Sequence, residues 1–268
     1  MITSRQHPFV KAIRRLDAAR ERRETGLFLL EGTNAVSTAL ELGWPLRNVA
    51  FDPGHQGGAE LARRISQGPS GVTQLEAGED ILAYATQIES SPGILAIAAL
   101  PPETPEWTPS GLILVLDGVA DPGNLGTLIR AADAAGASHV VVTAGSADPW
   151  QPKVVRASAG SLLRLPPLNW PDRSAAAIAR ELAAQGIPIV TAEAHNGTNC
   201  YACAWPHHVA LVLGNERHGP STAFANPAAR VTIPVYGRAE SLNVAMAGTL
   251  LLYAWRQSLE ETTGTTAK

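Results

Sequence analysis

Cysteine is almost absent from this chain of 268 residues, where Cys200 and Cys203 are the only two. That is too few for a disulfide framework, and it makes a reduced, cytoplasmic setting the default expectation. Lysine is nearly as scarce: Lys11, Lys153 and Lys268 are all there are. Any cationic contact therefore falls mainly to arginine, whose planar guanidinium suits phosphate oxygens. Long apolar runs are also missing. The stretch 244–255 falls short of the roughly 20 residues that span a bilayer. Residues 1–16 are punctuated by Arg5, His7, Lys11, Arg14 and Arg15, which leaves no apolar region for an export signal. A soluble cytoplasmic protein that does not engage a membrane is expected.

What is present is ordinary for a globular protein. Apolar residues make up 45% and charged residues 17%, with a mean hydropathy of +0.01. Such a chain can bury a real core, which excludes disordered and collagen-like classes. The net charge of −3 gives no global sign of a nucleic-acid partner, but its distribution does. In the first 25 residues Arg5, Lys11, Arg14, Arg15, Arg20, Arg22 and Arg23 face only Asp17, Glu21 and Glu24, leaving +4, so the remainder carries −7. This segment reads either as a solvated helix face or as a phosphate-contacting arm.

Four prolines, Pro101, Pro102, Pro105 and Pro109, mark a seam, because proline fixes φ and removes a backbone donor. The expected division is a small α/β domain over 1–100, a linker over 101–110, a second domain over 111–260 and a polar tail over 261–268. Before the seam, residues 48–51, 72–75 and 94–100 read as strands, alternating with helices near 31–42 and 59–67. After it, the short Val, Ile and Leu runs 112–116, 140–143, 187–191, 209–213 and 231–234 alternate with Ala-rich stretches such as 125–135 and 174–185. Continuous apolar strands alternating with helices predict a parallel sheet covered on both faces. The last predicted helix, 242–259, is apolar almost all round, so it belongs in a core or against a second subunit.

Three segments can carry chemistry. In the first, 114–130 (LVLDGVADPGNLGTLIR), a strand runs through a turn into a helix, and ligands usually bind at the carboxyl end of such a strand. Its glycines do not make G-x-G-x-x-G, which removes the support for a nucleotide-linked oxidoreductase. Asn124 is either a helix cap or a site residue, and Arg130 either a surface charge or a functional one. The second, 211–221 (LVLGNERHGPS), has Pro220 where a phosphate-binding loop needs lysine, so nucleotide hydrolysis fails too. Gly214 would let a ligand approach the backbone, and Glu216 follows a buried strand; the plain alternative is a strand-to-helix turn capped by Ser221. In the third, 231–234 (VTIP) and 240–245 (ESLNVA), Ser241 and Asn243 open the apolar helix as caps or as site residues.

In this order and near these spacings the three segments resemble the SpoU (TrmH-like) RNA ribose 2′-O-methyltransferases of the SPOUT superfamily. Residues 2–4 (ITS), Pro8, Lys11 and 28–32 (FLLEG) are similar to that family's L30e-like RNA-binding domain, and 153–160 (KVVRASAG) also has the family's look. The resemblance implies an α/β chain with an L30e-like substrate domain, a SPOUT domain with a deep trefoil knot, and S-adenosylmethionine as methyl donor. It implies cofactor contacts at Thr191, Ala192, Glu193, Gly214, Ile233 and Leu242. The catalytic group it implies is Arg130 and Asn124, with Glu216, Ser241 and Asn243 fixing Arg130 and the ribose. Arginine holds its proton tightly and makes a poor base, so Arg130 is read as orienting the hydroxyl and an adjacent phosphate. RNA contacts are expected from Arg5, Lys11, Arg14, Arg15, Arg22, Arg23 and Arg156. A homodimer through the C-terminal domain is implied, with ribosomal RNA as the favoured substrate. Transfer RNA or a non-catalytic RNA-binding role are the alternatives, and nothing separates housekeeping from antibiotic protection.

Cys200 and Cys203 form a single C-x-x-C near His195, His207 and His208. With no second pair to complete a zinc site, they read as packed or loop thiols, and no metal is expected.

Overall fold

The computed structural model describes residues 1–68, 71–86, 88, 91–102, 108, 110–168 and 172–263, with side chains of the last helix described to residue 260. Most of the expected linker and the end of the expected tail lie outside the described residues. In chain order the elements are α1 (Pro8–Arg15), α2 (Ala19–Thr25), β1 (Leu27–Glu31), α3 (Gly32–Glu41), β2 (Leu46–Phe51), α4 (Gln56–Ser66), β3 (Thr73–Glu76), α5 (Glu79–Thr86) and β4 (Ile94–Ala99). Then come β5 (Leu112–Leu116), α6 (Pro122–Ala135), β6 (His139–Val142), α7 (Pro152–Ser158) and α8 (Ser161–Arg164). Last are α9 (Ala175–Ala184), β7 (Ile189–Ala192), β8 (Thr198–Asn199), β9 (Val209–Leu213), a 3-10 turn (Thr222–Phe224), β10 (Ala229–Thr232) and α10 (Val244–Thr263).

These elements form two compact units: Met1–Pro101 with Asp148–Arg164, and Pro102–Ala147 with Leu165–Lys268. The proline seam therefore does not divide the chain cleanly. Asp148–Arg164, inside the stretch assigned by sequence to the second domain, packs with the first unit.

The first unit has a four-stranded mixed sheet in the order β1-β4-β2-β3. Strand β4 runs antiparallel to β1 and β2, whereas β2 and β3 are parallel. Helix α1 starts at Pro8, suited to a first helical position, with the His7 ring accepting from the Phe9 N–H at 3.2 Å. It buries Phe9, Val10 and Ile13 in a core shared with Leu29, Leu82 and Leu95. Trp150 sits edge-on to Phe28, ring centroids 4.8 Å apart, and 6.4 Å from the Trp44 ring. At Gly160 (φ +93°) a Cβ would lie 2.8 Å from Thr38 Oγ1, so only glycine lets the α7–α8 turn seat on α3.

The second unit has a six-stranded sheet in the order β6-β5-β9-β7-β10-β8, parallel in every pairing. Strands β5 and β9 are buried at every position. Such strands need helices on the sheet faces, and Ile178 and Leu182 of α9 fill that role against Ile113, Val115 and Val212. Helix α10 packs on α6, where a Cβ at Gly248 would collide with Leu128 and Leu213. It buries Leu251, Leu252 and Trp255 while leaving Met246 66% and Tyr253 50% exposed. Its last turn reaches Thr263, into the stretch expected to be a polar tail.

Candidate active site

A cavity of about 410 Å³ opens at the carboxyl ends of β7, β9 and β10, three adjacent strands. Ligand pockets typically measure about 300–1,000 Å³, and strand carboxyl ends are where open parallel sheets usually place them. Leu213, Val231, Ile233, Leu242 and Leu251 supply apolar wall, and Glu193, His195, Glu216, Arg217 and His218 bring titratable groups.

Five of the six expected cofactor positions line this cavity: Ala192, Glu193, Gly214, Ile233 and Leu242. Thr191 does not. It is 1% exposed, and its hydroxyl donates to Glu193 Oε1 at 3.3 Å, beside Arg230 Nε at 3.6 Å from the same oxygen. Thr191 thus steadies a wall carboxylate instead of facing the cavity. Gly214 lines the cavity, but its lack of a side chain serves the fold first. A Cβ there would run into the backbone of Gly219 and Pro220. Residues 215–219 fold back as a closed loop, with Asn215 and Gly219 exchanging backbone hydrogen bonds of 3.1 and 2.9 Å. Glycine is required by this chain crossing, whatever binds nearby.

Three of the five expected catalytic side chains are joined by hydrogen bonds, although they are 92 and 119 residues apart. Asn124 Nδ2 donates to Glu216 Oε1 at 3.0 Å, and Asn243 Nδ2 donates to Asn124 Oδ1 at 3.1 Å. Asn243 also caps α10, its Oδ1 accepting from the Ala245 and Met246 N–H groups. The cap and site readings are therefore both true of it. The cap of α6 is Asp121, whose Oδ1 accepts from the Asn124 N–H at 2.8 Å, so Asn124 is no cap. Ser241 is exposed on the cavity wall. Arg130 is exposed on α6, and among the described residues nothing pairs with its guanidinium. Glu216 and Asn243 each bond to Asn124, and among the described residues no bond joins Glu216, Ser241 or Asn243 to Arg130.

Two supporting residues carry no role in the sequence reading. Asp117, buried at 5% exposure, accepts from Thr143 Oγ1 at 3.0 Å and from the Ser221 N–H at 2.7 Å. It ties the first segment to the second, and Ser221 contributes through its backbone, not as a side-chain cap. Asn215 Nδ2 donates to the Gly118 carbonyl at 3.0 Å. A carboxylate directly after a five-residue apolar run is the signal that could have flagged Asp117.

The expected RNA-contacting cations divide sharply. Arg22 is 2% exposed and spends its guanidinium on Asp148 Oδ2 at 2.6 Å and on the Leu16 and Asp17 carbonyls. That burial removes it from any solvent-facing arm. Arg156 Nη1 donates to both oxygens of the buried Glu31 at 2.8 Å, so it too is committed within the first unit. Burial pushes the Glu31 carboxyl above its ordinary value, and Arg156 pulls it partly back. Arg15 pairs with Glu21 at 3.3 Å. Arg5 and Arg14 each place Cζ 4.5 Å from the Tyr84 ring, and Lys11 and Arg23 are exposed. Among the described residues these four have no acidic partner.

Cys200 is buried and Cys203 partly so; both are free thiols, held above the ordinary thiol range by burial. Among the described residues no group of three or more His, Cys, Asp or Glu is placed to hold a metal. Among those residues no helix is long and apolar enough to cross a membrane.

A ligand-sized cavity at parallel-strand ends, with a wall carboxylate held by a chain of two amides, defines the class as an α/β protein with a small-molecule site. The particular family follows from sequence. Residues 111–253 match the SpoU rRNA Methylase family, and residues 7–96 match the MRM3-like substrate binding domain. The chain belongs to the SpoU rRNA methylase family. It is 32% identical to the 23S rRNA (guanosine(2553)-2′-O)-methyltransferase RlmP of Bacillus subtilis, over 95% of this chain and 98% of that one. It is also 32% identical to a 23S rRNA (uridine(2479)-2′-O)-methyltransferase of Streptomyces viridochromogenes, over 99% and 95%. Among solved structures, the SpoU methyltransferase AviRb of Streptomyces viridochromogenes, in complex with the cofactor AdoMet, superposes with a TM-score of 0.84 at 28% identity, covering 95% of this chain and 98% of AviRb.

Proposed function

We propose that this chain is an S-adenosylmethionine-dependent 2′-O-ribose methyltransferase of 23S ribosomal RNA. The observation that carries the reading is the cavity at the ends of β7, β9 and β10 with Glu216 on its wall, bonded to Asn124 and through it to Asn243. The wall chemistry fits the cofactor: apolar side chains suit an adenine ring, while Glu193, Glu216 and Arg217 suit a cationic sulfonium and a zwitterionic amino acid. When bound, S-adenosylmethionine supplies an electrophilic methyl group. The chain's own residues do the rest. Leu242 and Ile233 exclude water, and Glu193, steadied by Thr191 and Arg230, offers a fixed acceptor. Arg130, an exposed cation without a protein partner among the described residues, suits the phosphate beside the reacting ribose and holds that hydroxyl in line.

The first unit serves as the RNA-recognition domain of L30e-like type, with Arg5, Lys11, Arg14 and Arg23 as its phosphate contacts. In the second unit, the insertion of β9 between β5 and β7 and the close crossing at Gly214 support a trefoil-knotted SPOUT domain. The exposed apolar side chains Leu242, Met246, Leu250 and Tyr253 support a homodimer through α10 and its approach. The bacterial relatives named for 23S rRNA support a cytoplasmic setting.

The test is transfer of labelled methyl from S-adenosylmethionine to undermodified total RNA, with mapping of the product. A single 2′-O-methylated nucleotide in 23S RNA is expected. Label on a base, label confined to transfer RNA, or cofactor binding without transfer to any RNA would each overturn the reading.

A further inference from the structure

Two arginines of the first unit share one aromatic ring. The Cζ atoms of Arg5 and Arg14 each lie over the Tyr84 ring, 4.5 Å from its centroid. The two cations are thus within twice that distance of each other, close to the range over which charges are felt at physiological salt, about 8 Å. Their neighbours are treated differently: Arg15 has Glu21 at 3.3 Å and Arg20 has Glu24 at 2.6 Å. Arg5 and Arg14 have the ring instead, and among the described residues no acid pairs with either. Three elements build this arrangement. Arg5 sits in an arm tied at both ends, where the buried Ile2 donates its N–H to the Glu76 carbonyl of β3 at 2.6 Å and the His7 ring caps α1. Between those ties Ser4 Oγ accepts from the Gln6 N–H at 3.1 Å. Arg14 stands in the last turn of α1, and its Nη1 donates to the Tyr84 carbonyl at 3.4 Å. Tyr84, on α5, packs its partly buried side chain against the core of the unit.

We propose that Arg5, Tyr84 and Arg14 form one preorganised site for the phosphodiester backbone of RNA, with the arginines as binding groups and Tyr84 as the residue that positions them. The proposal rests on the RNA methyltransferase reading above and deepens it, replacing separate contacts along a basic arm with a two-arginine clamp. A guanidinium lying on a ring uses its face. Its N–H donors lie in its own plane, so they stay available to a phosphate oxygen. A carboxylate partner would spend those same donors and cancel the charge; the ring does neither. It also removes in advance part of the rotamer freedom that a long side chain loses on binding. Two uncancelled cations held together repel each other until an anion joins them, and a phosphate group between them relieves that repulsion. Phosphate contacts carry no base information, so the clamp adds affinity and register without choosing the sequence.

The experiment is methyl transfer from S-adenosylmethionine to undermodified 23S RNA over a range of RNA and salt concentrations. Tyr84→Leu keeps both charges and an apolar side chain. It is expected to raise KM for RNA about fivefold with kcat unmoved. The salt slope of KM should hold, since both cations are still present. Tyr84→Phe restores the ring and is expected to return KM to within about twofold of wild type. In a chain carrying both Arg5→Ala and Arg14→Ala, adding Tyr84→Leu should change KM no further, because the ring then has nothing to hold. The proposal is overturned if Tyr84→Leu leaves KM within about twofold of wild type. It is equally overturned if the full Tyr84→Leu effect persists without the two arginines, which would make the ring itself the contact or a support of the fold. A loss in Tyr84→Phe equal to that in Tyr84→Leu overturns it too, by assigning the effect to the phenol hydroxyl. Failure of the wild type to methylate 23S RNA would instead bring down the underlying reading, and the same set of variants, followed by filter binding of that RNA, would still decide the clamp.

Discussion

The two units handle buried polarity in opposite ways. The first buries full charges: Arg22 against Asp148 and Glu31 against Arg156, each joining residues more than 120 positions apart. Around the cavity of the second, neutral amides do the connecting, and Asp117, the one deeply buried acid among that unit's described residues, is held by a hydroxyl and a backbone N–H. Ion pairs lose much of their benefit to desolvation but penalise any wrong partner heavily. They suit a unit that must select one distant segment of chain. Amides carry direction without net charge, which suits a rim beside a reacting centre.

That contrast can be broken from either side. The largest effect is expected at Arg130: Arg130→Ala should cut methyl transfer by about 10³-fold through lost orientation, while binding of S-adenosylmethionine, followed by calorimetry, stays at wild type. Next, Asp148→Ala leaves the Arg22 guanidinium buried beside only two carbonyls. It should destabilise the chain by about 3 kcal/mol in denaturant unfolding, with the refolded protein still binding cofactor. If cofactor binding fell in step with stability under conditions where the chain is fully folded, the division of labour would be wrong. Gly214→Ala is the mirror experiment. The added Cβ meets rigid backbone at Gly219 and Pro220, so cofactor affinity should drop by at least about tenfold through displacement of the 215–219 loop.

Smaller effects sharpen the picture of the first unit. Replacing Arg5 and Arg14 together by alanine should weaken RNA binding about tenfold and lower the salt slope by about two. Arg22, being buried, is expected to contribute nothing to that slope. The smallest effect is at Glu31. Its carboxyl is raised by burial, so the folded chain holds that proton more tightly than the unfolded chain does. Stability is therefore full below the ordinary carboxylate value and declines as pH rises through the raised one. Glu31→Gln should remove that decline from the pH dependence of Tm.

Much of the second unit was legible because its signals are local. The apolar runs at 112–116 and 209–213 coincide with β5 and β9, since continuous burial leaves an unbroken Val, Leu and Ile pattern. Strand β1 was not assigned, because its five residues run straight into helix α3, with Gly32 already the first helical residue. Strand β8 is two residues long and leaves no pattern to read. At the site, motif order brought Asn124, Glu216 and Asn243 to notice, but periodicity contains nothing about which amide donates to which oxygen. Arg22 shows the same limit for charge. A basic cluster looks solvent-facing until its acid arrives from 126 residues away. The share of Asp148–Arg164 in the first unit was hidden for that reason, since the Pro-rich seam marks a change in composition, not the end of a folding unit.

The late arrival of Asp148–Arg164 also sets an order of events during synthesis. Chains grow from the N-terminus at about 5–20 residues per second, so Met1–Pro101 is made well before its remaining segment. Through that interval Arg22 has no Asp148, Glu31 has no Arg156, and Phe28 lacks the edge of Trp150. The four-stranded sheet can form early, but its closing layer waits for β5, α6 and β6 to be translated. The first unit is thus completed only when the second is already under construction, and a nascent chain halted at the proline seam carries Arg22 and Glu31 without their partners.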